Sequence, residues 1–359
     1  MKNVRIGTHI VGQGHRPYVI AEAGVNHNGD IKLAKKLIDV AKDAAADAVK
    51  FQTFTPEEVV STQAPQAEYQ KKNTGTEESQ SEMLAHLALS YDTFRELKLY
   101  SEEKNIDFLS TPFSQKDADF LASIGMTAFK VSSGDLTNLP YLAHMAKKER
   151  PIILSTGMAT LSEIREAITE LRENGAQDIV IMQCTSEYPS PPSHVNLRVM
   201  DTLRKEFDCP VGFSDHTEGI AASVSAASLG ASVIEKHFTT SRALPGPDHR
   251  ASLEPIELKE MIAQIRARAT LATIKVSEEL LGSAEKKPTR EEASIAKLVR
   301  RGITARTDIE TGEVLTEKNL CIIRPEGEIH PKEWHKLLGR KAAQNIPYGT
   351  SLTWAMLAQ

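Results

Sequence analysis

Two short stretches, GFSDHT (Gly212–Thr217) and VIEKHFT (Val233–Thr239), each carry an apolar run into a histidine. An imidazole is a poor packing group at the end of a hydrophobic strand, because its ring nitrogens demand a hydrogen-bond partner or a ligand. If the two runs are neighbouring parallel strands, about 4.8 Å apart, His216 and His237 at matched heights can hold one ion. Two imidazoles leave coordination positions for water and substrate. That suits Mn²⁺, Fe²⁺, Co²⁺ or Zn²⁺ in a catalytic site and is too few ligands for a closed structural zinc. The alternative use is two histidines hydrogen-bonded in a polar mouth. Asp215 either orients an imidazole from behind or caps the helix that follows. The other histidines, among them His9, His15, His86 and His144, read as surface or packing residues.

Two lysines pose a second problem. Lys50 in AVKFQTF and Lys130 in AFKVSSG interrupt apolar runs. A lysine inside a strand is costly unless it reaches an anion or snorkels to the rim. With Thr111, Ser133, Ser155 and Ser214 they make a convergent anion clamp. The loops SSGD, STGM and FSDHT add hydroxyls and backbone N–H groups suited to phosphate oxygens. The sequence holds neither GxGxxG nor GxxxxGK[ST], so dinucleotides and nucleoside triphosphates are not indicated. The anion expected is a small phosphorylated acid.

These side chains need a scaffold. Apolar runs begin at Tyr18, Ala48, Asp107, Ala128, Pro151, Asp178, Cys209 and Ser232, and most gaps between them carry helix-like patterning. IKLAKKLIDVAKDAAA and LSEIREAITELRENGA place apolar residues at three- and four-residue spacing; the second starts at Thr160 or Ser162 and ends at Gly175. Eight βα units predict an α/β fold with a parallel sheet, and eight is the number that closes a barrel. An open doubly wound sheet has the same strand count. The polar tips favour closure: Glu22, Lys50 with Gln52, Thr111, Lys130 with Ser133, Ser155, Thr185, Ser214 with His216, and His237. A (β/α)₈ TIM barrel gathers such ends on one face, whereas an open sheet strings them along a line. The N-terminal VRIGTHIVGQGHRPYVI reads as a β-hairpin plugging the opposite end.

Composition bounds the rest. The 359 residues are 40% hydrophobic and 25% charged, with net charge −5, which argues against nucleic acid and against an anionic membrane surface. No apolar run is long enough to span a bilayer, and the N-terminus lacks a signal-peptide core. Cys184, Cys209 and Cys321 show no metal-binding spacing and read as reduced thiols of a cytoplasmic protein. Composition shifts after Gly282. The expected division is a barrel over 1–282, a polar linker over 283–297 and a small domain over 298–359, whose core of about 60 residues is marginal and prone to dock.

The chain resembles the sialic acid synthase family (N-acetylneuraminate and legionaminate synthases). The stretches that carry the likeness are IAEAGVNHNGD, VKFQTF, FLSTPF, FKVSSGDLTNLPYL, ILSTGMAT, CTSEYPSPP, VGFSDHT, IEKHFT and GPDHRASLEP, in the family's order along almost the whole chain. The tail ITARTDIETGEVLTEKNLCIIRPEGEI resembles the antifreeze-like SAF domain that ends these synthases. AEYQKKNTGTEESQSEML resembles a loop of the bacterial enzymes.

The resemblance implies condensation of phosphoenolpyruvate with N-acetylmannosamine, as the open-chain aldehyde, giving N-acetylneuraminate and phosphate. A 2,4-diacetamido-2,4,6-trideoxymannose acceptor, giving a legionaminate, is the alternative. It implies His216 and His237 as ligands of a divalent ion, Mn²⁺ first, with Mg²⁺ or Co²⁺ as substitutes. Lys50, Thr111, Lys130, Ser133, Ser155 and Ser214 match phosphoenolpyruvate contacts, and Glu22, Gln52, Asp135, Tyr188 and Asp248 match positions near metal and sugar. Glu22 either serves the aldehyde end and proton transfer or pairs with Lys50 or Lys130. Asn26 and His27 shape the mouth. The resemblance also implies a domain-swapped homodimer in which Arg324 reaches the acyl group of the sugar in trans. The family often has glutamate where this chain has Asp135, whose shorter reach suggests a contact through water. Some members have asparagine in place of Ser186, which weakens a phosphoenolpyruvate contact there. Two rivals are a 3-deoxy sugar acid synthase, which needs a second phosphate site, and a non-catalytic sugar- or ice-binding protein, which needs neither histidines nor strand lysines.

Overall fold

The computed structural model describes residues 2–62, 64–75, 78–267 and 273–358. The hairpin strands β1 (Val4–Ile6) and β2 (His9–Val11) pair antiparallel around a turn at Gly7, whose φ of +55° favours glycine. Val4, Ile6 and Val11 join the main core, close to Asp47 and Asp107 at the N-terminal ends of two barrel strands. The hairpin therefore closes the bottom of the barrel, as expected.

Eight parallel strands follow: β3 (Tyr18–Gly24), β4 (Ala48–Thr53), β5 (Asp107–Pro112), β6 (Phe129–Val131), β7 (Ile152–Ser155), β8 (Ile179–Cys184), β9 (Val211–Asp215) and β10 (Val233–His237). Each lies in one of the eight predicted runs. The ladder order is β5-β4-β3-β10-β9-β8-β7-β6, so first and last strands pair, and β5 packs beside β6 to close the ring. Strands β3, β6, β7, β8, β9 and β10 are buried along their whole length, as the strands of a sheet covered on both sides must be.

Helices sheathe the ring. Asp30 caps Ile31–Asp43, which turns Ala34, Leu37, Ile38 and Ala41 inward. Thr160 and Glu163 form the capping box of Leu161–Glu173, which buries Ile164, Ala167, Ile168 and Leu171. The large apolar core runs from Val4 to Leu280, and a separate small one holds Ile303, Leu320, Leu337, Leu352 and others of the tail. There β11 (Gly302–Ala305) pairs antiparallel with β12 (Leu320–Ile323). The stretch read as a polar linker is largely helical. Thr289 caps the helix Arg290–Val299, and Ile295 and Val299 face the barrel mouth. Polar composition hid it, because its buried anchor is a charged residue, Glu292.

Candidate active site

The side chains at the C-terminal ends of the strands converge on one cavity. Register does this first: Glu22 pairs across the ladder with Lys50 and with His237, Gln52 with Thr111, and Glu235 with Ser214. Residues two apart on a strand share a face. Lys50 and Gln52 therefore point together into the ring, as do Glu235 and His237.

On the floor, Lys50 Nζ lies 2.8 Å from Glu22 Oε2, 3.7 Å from Glu235 Oε2 and 2.9 Å from Thr111 Oγ1. Lys130 Nζ lies 3.6 Å from Glu235 Oε1 and 2.6 Å from Ser155 Oγ, and Ser214 Oγ donates to Glu235 Oε1 at 3.0 Å. All four charged side chains are buried. Burial raises the Glu22 carboxyl to about 7 against the pull of Lys50. Glu235 resists its own burial because Lys130 and Lys50 hold it low. Burial depresses Lys130, while for Lys50 the two carboxylates outweigh burial and raise it. With Glu22 partly neutral, two ammonium groups face one full carboxylate, so the floor carries net positive charge toward an anion.

Above the floor His216 and His237 stand with ring centroids 5.7 Å apart, and Tyr188 packs on them at 4.1 and 5.8 Å. His216 Nδ1 lies 2.7 Å from the Thr185 carbonyl, so that nitrogen is the N–H donor and Nε2 stays free. His237 Nδ1 is buried without a hydrogen-bond partner. Burial, then the charges of His216 and Lys50, keeps His237 neutral well below its usual range. Over Gly24 (φ +54°) His237, Gln52 and Glu22 converge so closely that a Cβ there would come within 3.3–3.4 Å of all three. The two imidazoles offer nitrogen donors of the kind that ligate a divalent cation, but with Glu22 and Asp248 they do not make a group of three ligand atoms within 4.8 Å of one another. Among the described residues one such group exists and was not foreseen: ligand atoms of Glu187, His194 and Glu291 lie within 4.8 Å of one another, Glu187 buried, His194 half-buried and Glu291 exposed.

Of the residues expected to bind metal or substrate all but Asp135 line the cavity, whereas Asn26, His27, Thr185 and Asp215 do not. Asp135 is buried and both its oxygens are engaged, Oδ1 by Arg301 Nε at 2.7 Å and Oδ2 by Ser132 Oγ at 2.6 Å. Asp215 faces the other side of the wall, where it accepts from Thr217 N and Ser223 Oγ and pairs with Lys236 at 3.0 Å. Its role is structural. Asn26 bridges the Phe238 carbonyl and Ser252 Oγ, and Ser252 Oγ donates to the Asp248 carbonyl, so the first loop steadies the Asp248 loop. Arg324, carried by the tail, places its guanidinium 5.5 Å from the Phe113 ring at the mouth.

Three features escaped sequence reading. Glu235 was visible as a charged residue inside an apolar strand, on the same face as His237. Glu292 accepts the backbone N–H of Met158 and of Ser186, both at 2.8 Å, and so ties the connecting helix to two mouth loops. Met83, Leu84 and Leu87 of helix Gln80–Leu87, with Val25, Phe54 and Val59, form an apolar wall of the cavity. This helix ends the loop read as a bacterial feature, in which Thr76 and Glu77 lie outside the described residues. Asn73 in the same loop donates to the Pro247 carbonyl at 2.6 Å.

Residues 37–276 match the NeuB family, and residues 300–358 match the SAF domain. The chain belongs to the NeuB family. It is 46% identical to an N,N'-diacetyllegionaminic acid synthase of Campylobacter jejuni, over 91% of this chain and 96% of that one. It is 45% identical to the enzyme of the same name from Legionella pneumophila, over 94% and 93%. A crystal structure of the spore coat polysaccharide biosynthesis protein SpsE of Bacillus subtilis superposes with a TM-score of 0.84 at 36% identity, covering 100% of this chain and 99% of that one. This NeuB-family chain is thus a sugar-acid synthase of the sialic acid type, built as a TIM barrel with a C-terminal SAF domain. Among the described residues no helix is long and apolar enough to cross a membrane.

Proposed function

We propose that the chain condenses phosphoenolpyruvate with the open-chain aldehyde of an N-acylated mannosamine-type sugar. The observation that carries this is the buried pair of lysines under the two imidazoles, an anion clamp beside a Lewis-acid site. Lys50 and Lys130, with Thr111, Ser133, Ser155 and Ser214, hold the carboxylate and phosphate of phosphoenolpyruvate. Gln52, Tyr188, Asp248 and Arg324 orient the sugar. A divalent ion on His216 and His237, Mn²⁺ in our reading, supplies Lewis acidity at the aldehyde oxygen. Carbon 3 of phosphoenolpyruvate forms the new bond to the aldehyde carbon, whose oxygen takes a proton. Water adds at carbon 2, and the tetrahedral adduct loses inorganic phosphate by C–O cleavage to leave the 2-keto acid. Glu22, held near neutrality in its titration, is placed to exchange the proton at the aldehyde end.

For the acceptor we favour a 2,4-diacetamido-2,4,6-trideoxymannose over N-acetylmannosamine, reversing the order that the sequence suggested. The wall of Met83, Leu84 and Leu87 suits a methyl carbon better than a hydroxymethyl group, because an apolar surface favours carbon over a hydroxyl. The names of the two relatives given above point the same way. The remainder of the reading is a catalytic unit over 1–282, a connection over 283–297 and a covering unit over 298–359, in a cytoplasmic homodimer. Exchange of tails between two copies would preserve the tail contacts described, and sedimentation velocity tests for the dimer. Phosphate release from phosphoenolpyruvate, measured with each sugar and with and without EDTA, tests the function. No release with either sugar defeats it.

A further inference from the structure

Arg301 is the largest side chain buried to less than 2% exposure, and it lies where the tail meets the barrel. Its guanidinium reaches three separate mouth loops. Nε donates to Asp135 Oδ1 at 2.7 Å, Nη1 to the carbonyls of Glu58 and Val59 at 3.0 Å each, and Nη2 to the Phe113 carbonyl at 2.7 Å. The planar fork satisfies a carboxylate and three carbonyls at once, a geometry that an ammonium cannot reproduce.

The acceptors of Arg301 are also the seat of Arg324. Val59 O takes both Arg301 Nη1 and the Arg324 backbone N–H at 2.9 Å, and Ser61 N returns a bond to the Arg324 carbonyl. Phe113 gives its carbonyl to Arg301 and its ring to the Arg324 guanidinium. Within the tail, Gly302, next to Arg301, pairs with Ile323, next to Arg324. On the barrel side Asp135 ends the short turn Ser133–Asp135, whose Ser133 Oγ accepts the N–H of Gly157 at 3.0 Å and lines the cavity. A Cβ on Gly134 would stand 2.8 Å from the Val299 carbonyl, so tail and turn approach with no room to spare.

We propose that Arg301 is a positioning residue, locked on Asp135, that sets Arg324 over the acceptor half of the cavity and the Ser133 turn over the anion half in one act. This rests on the functional reading above for what the two halves bind. It gives Asp135 a use in place of a substrate contact: its short side chain holds the arginine that places another arginine.

The test uses the full-length protein and the variants Arg301→Lys, Asp135→Asn and Arg324→Ala, with Arg301→Lys also in the Arg324→Ala background. Asp135→Asn leaves the three carbonyl bonds intact and guards against simple unfolding. Both single changes at the pair should raise the KM for the acceptor about tenfold, in line with a sub-ångström misplacement of a binding group. In the Arg324→Ala background, Arg301→Lys should add no further rise. Hydrogen exchange, which needs no substrate, should quicken over residues 320–326 in both variants while the barrel strands keep their protection. Unchanged exchange there, an unchanged acceptor KM, or effects that multiply in the double variant would each overturn the proposal. If neither sugar supports turnover in the unaltered protein, the functional reading fails and the exchange experiment still decides the role of Arg301.

Discussion

Lys50 and Glu22 form a buried ion pair 2.8 Å long between adjacent strands, and their side chains are 3% and 2% exposed. The pair sits directly under the imidazoles, and Glu235 shares the same lysine from the other side. An ion pair this deep is a poor device for stability, because desolvation offsets most of its attraction. Its placement suits proton transfer better. Glu22→Gln keeps the shape and removes the titration, so turnover should fall about a hundredfold. The limb of the kcat profile near pH 7 should vanish with it. Steady-state phosphate release between pH 5.5 and 8.5 reads both; turnover within threefold of the parent would reduce Glu22 to a counter-ion.

The metal assignment divides two places. Titration calorimetry of EDTA-stripped protein should find a Mn²⁺ site that His237→Ala abolishes and His194→Ala leaves intact, and Mn²⁺ should restore the turnover that EDTA removes. The opposite pattern would move the ion to Glu187, His194 and Glu291.

At Gly157 the backbone runs hard against two serine hydroxyls of the mouth. A Cβ there would lie 2.2 Å from Ser186 Oγ and 2.9 Å from Ser133 Oγ. Gly157→Ala must push the serine hydroxyls aside, so KM for phosphoenolpyruvate should rise by at least about tenfold, with the acceptor KM little changed. A phosphoenolpyruvate titration at saturating sugar measures it.

The fold was legible because each strand announces itself twice, as an apolar run and as a polar tip that the run does not need. His216, His237, Lys50 and Lys130 were found by their misfit with neighbouring residues. Glu235 shows the same misfit, and its place two residues before His237 puts it on the inward face, but Lys236 beside it also breaks the apolar pattern and masks the signal. In the structure Glu235 faces the lysines and Lys236 faces Asp215 behind the wall. Asp135 failed differently: a carboxylate beside predicted anion contacts reads as part of the site, and its partner Arg301 is 166 residues away. The apolar wall was invisible because Met83, Leu84 and Leu87 look like the core face of any helix.

Asp248 gives a pH signature. Burial raises its carboxyl from 3.8 to about 6, with His216 pulling the other way. The folded metal-free protein thus holds this proton more tightly than the unfolded chain. Well below pH 3.8 both states are protonated and burial of the group is harmless. As pH rises from about 3 through 6 the unfolded chain ionises first, so stability falls, by about 3 kcal/mol once both states are ionised. Asp248→Asn carries no such titration. Urea unfolding in EDTA at pH 4 and at pH 7 should therefore show the variant gaining about 2 kcal/mol on the parent across the interval. A difference between the two proteins that stays constant with pH would mean that Asp248 is ionised throughout and already solvated within the cavity.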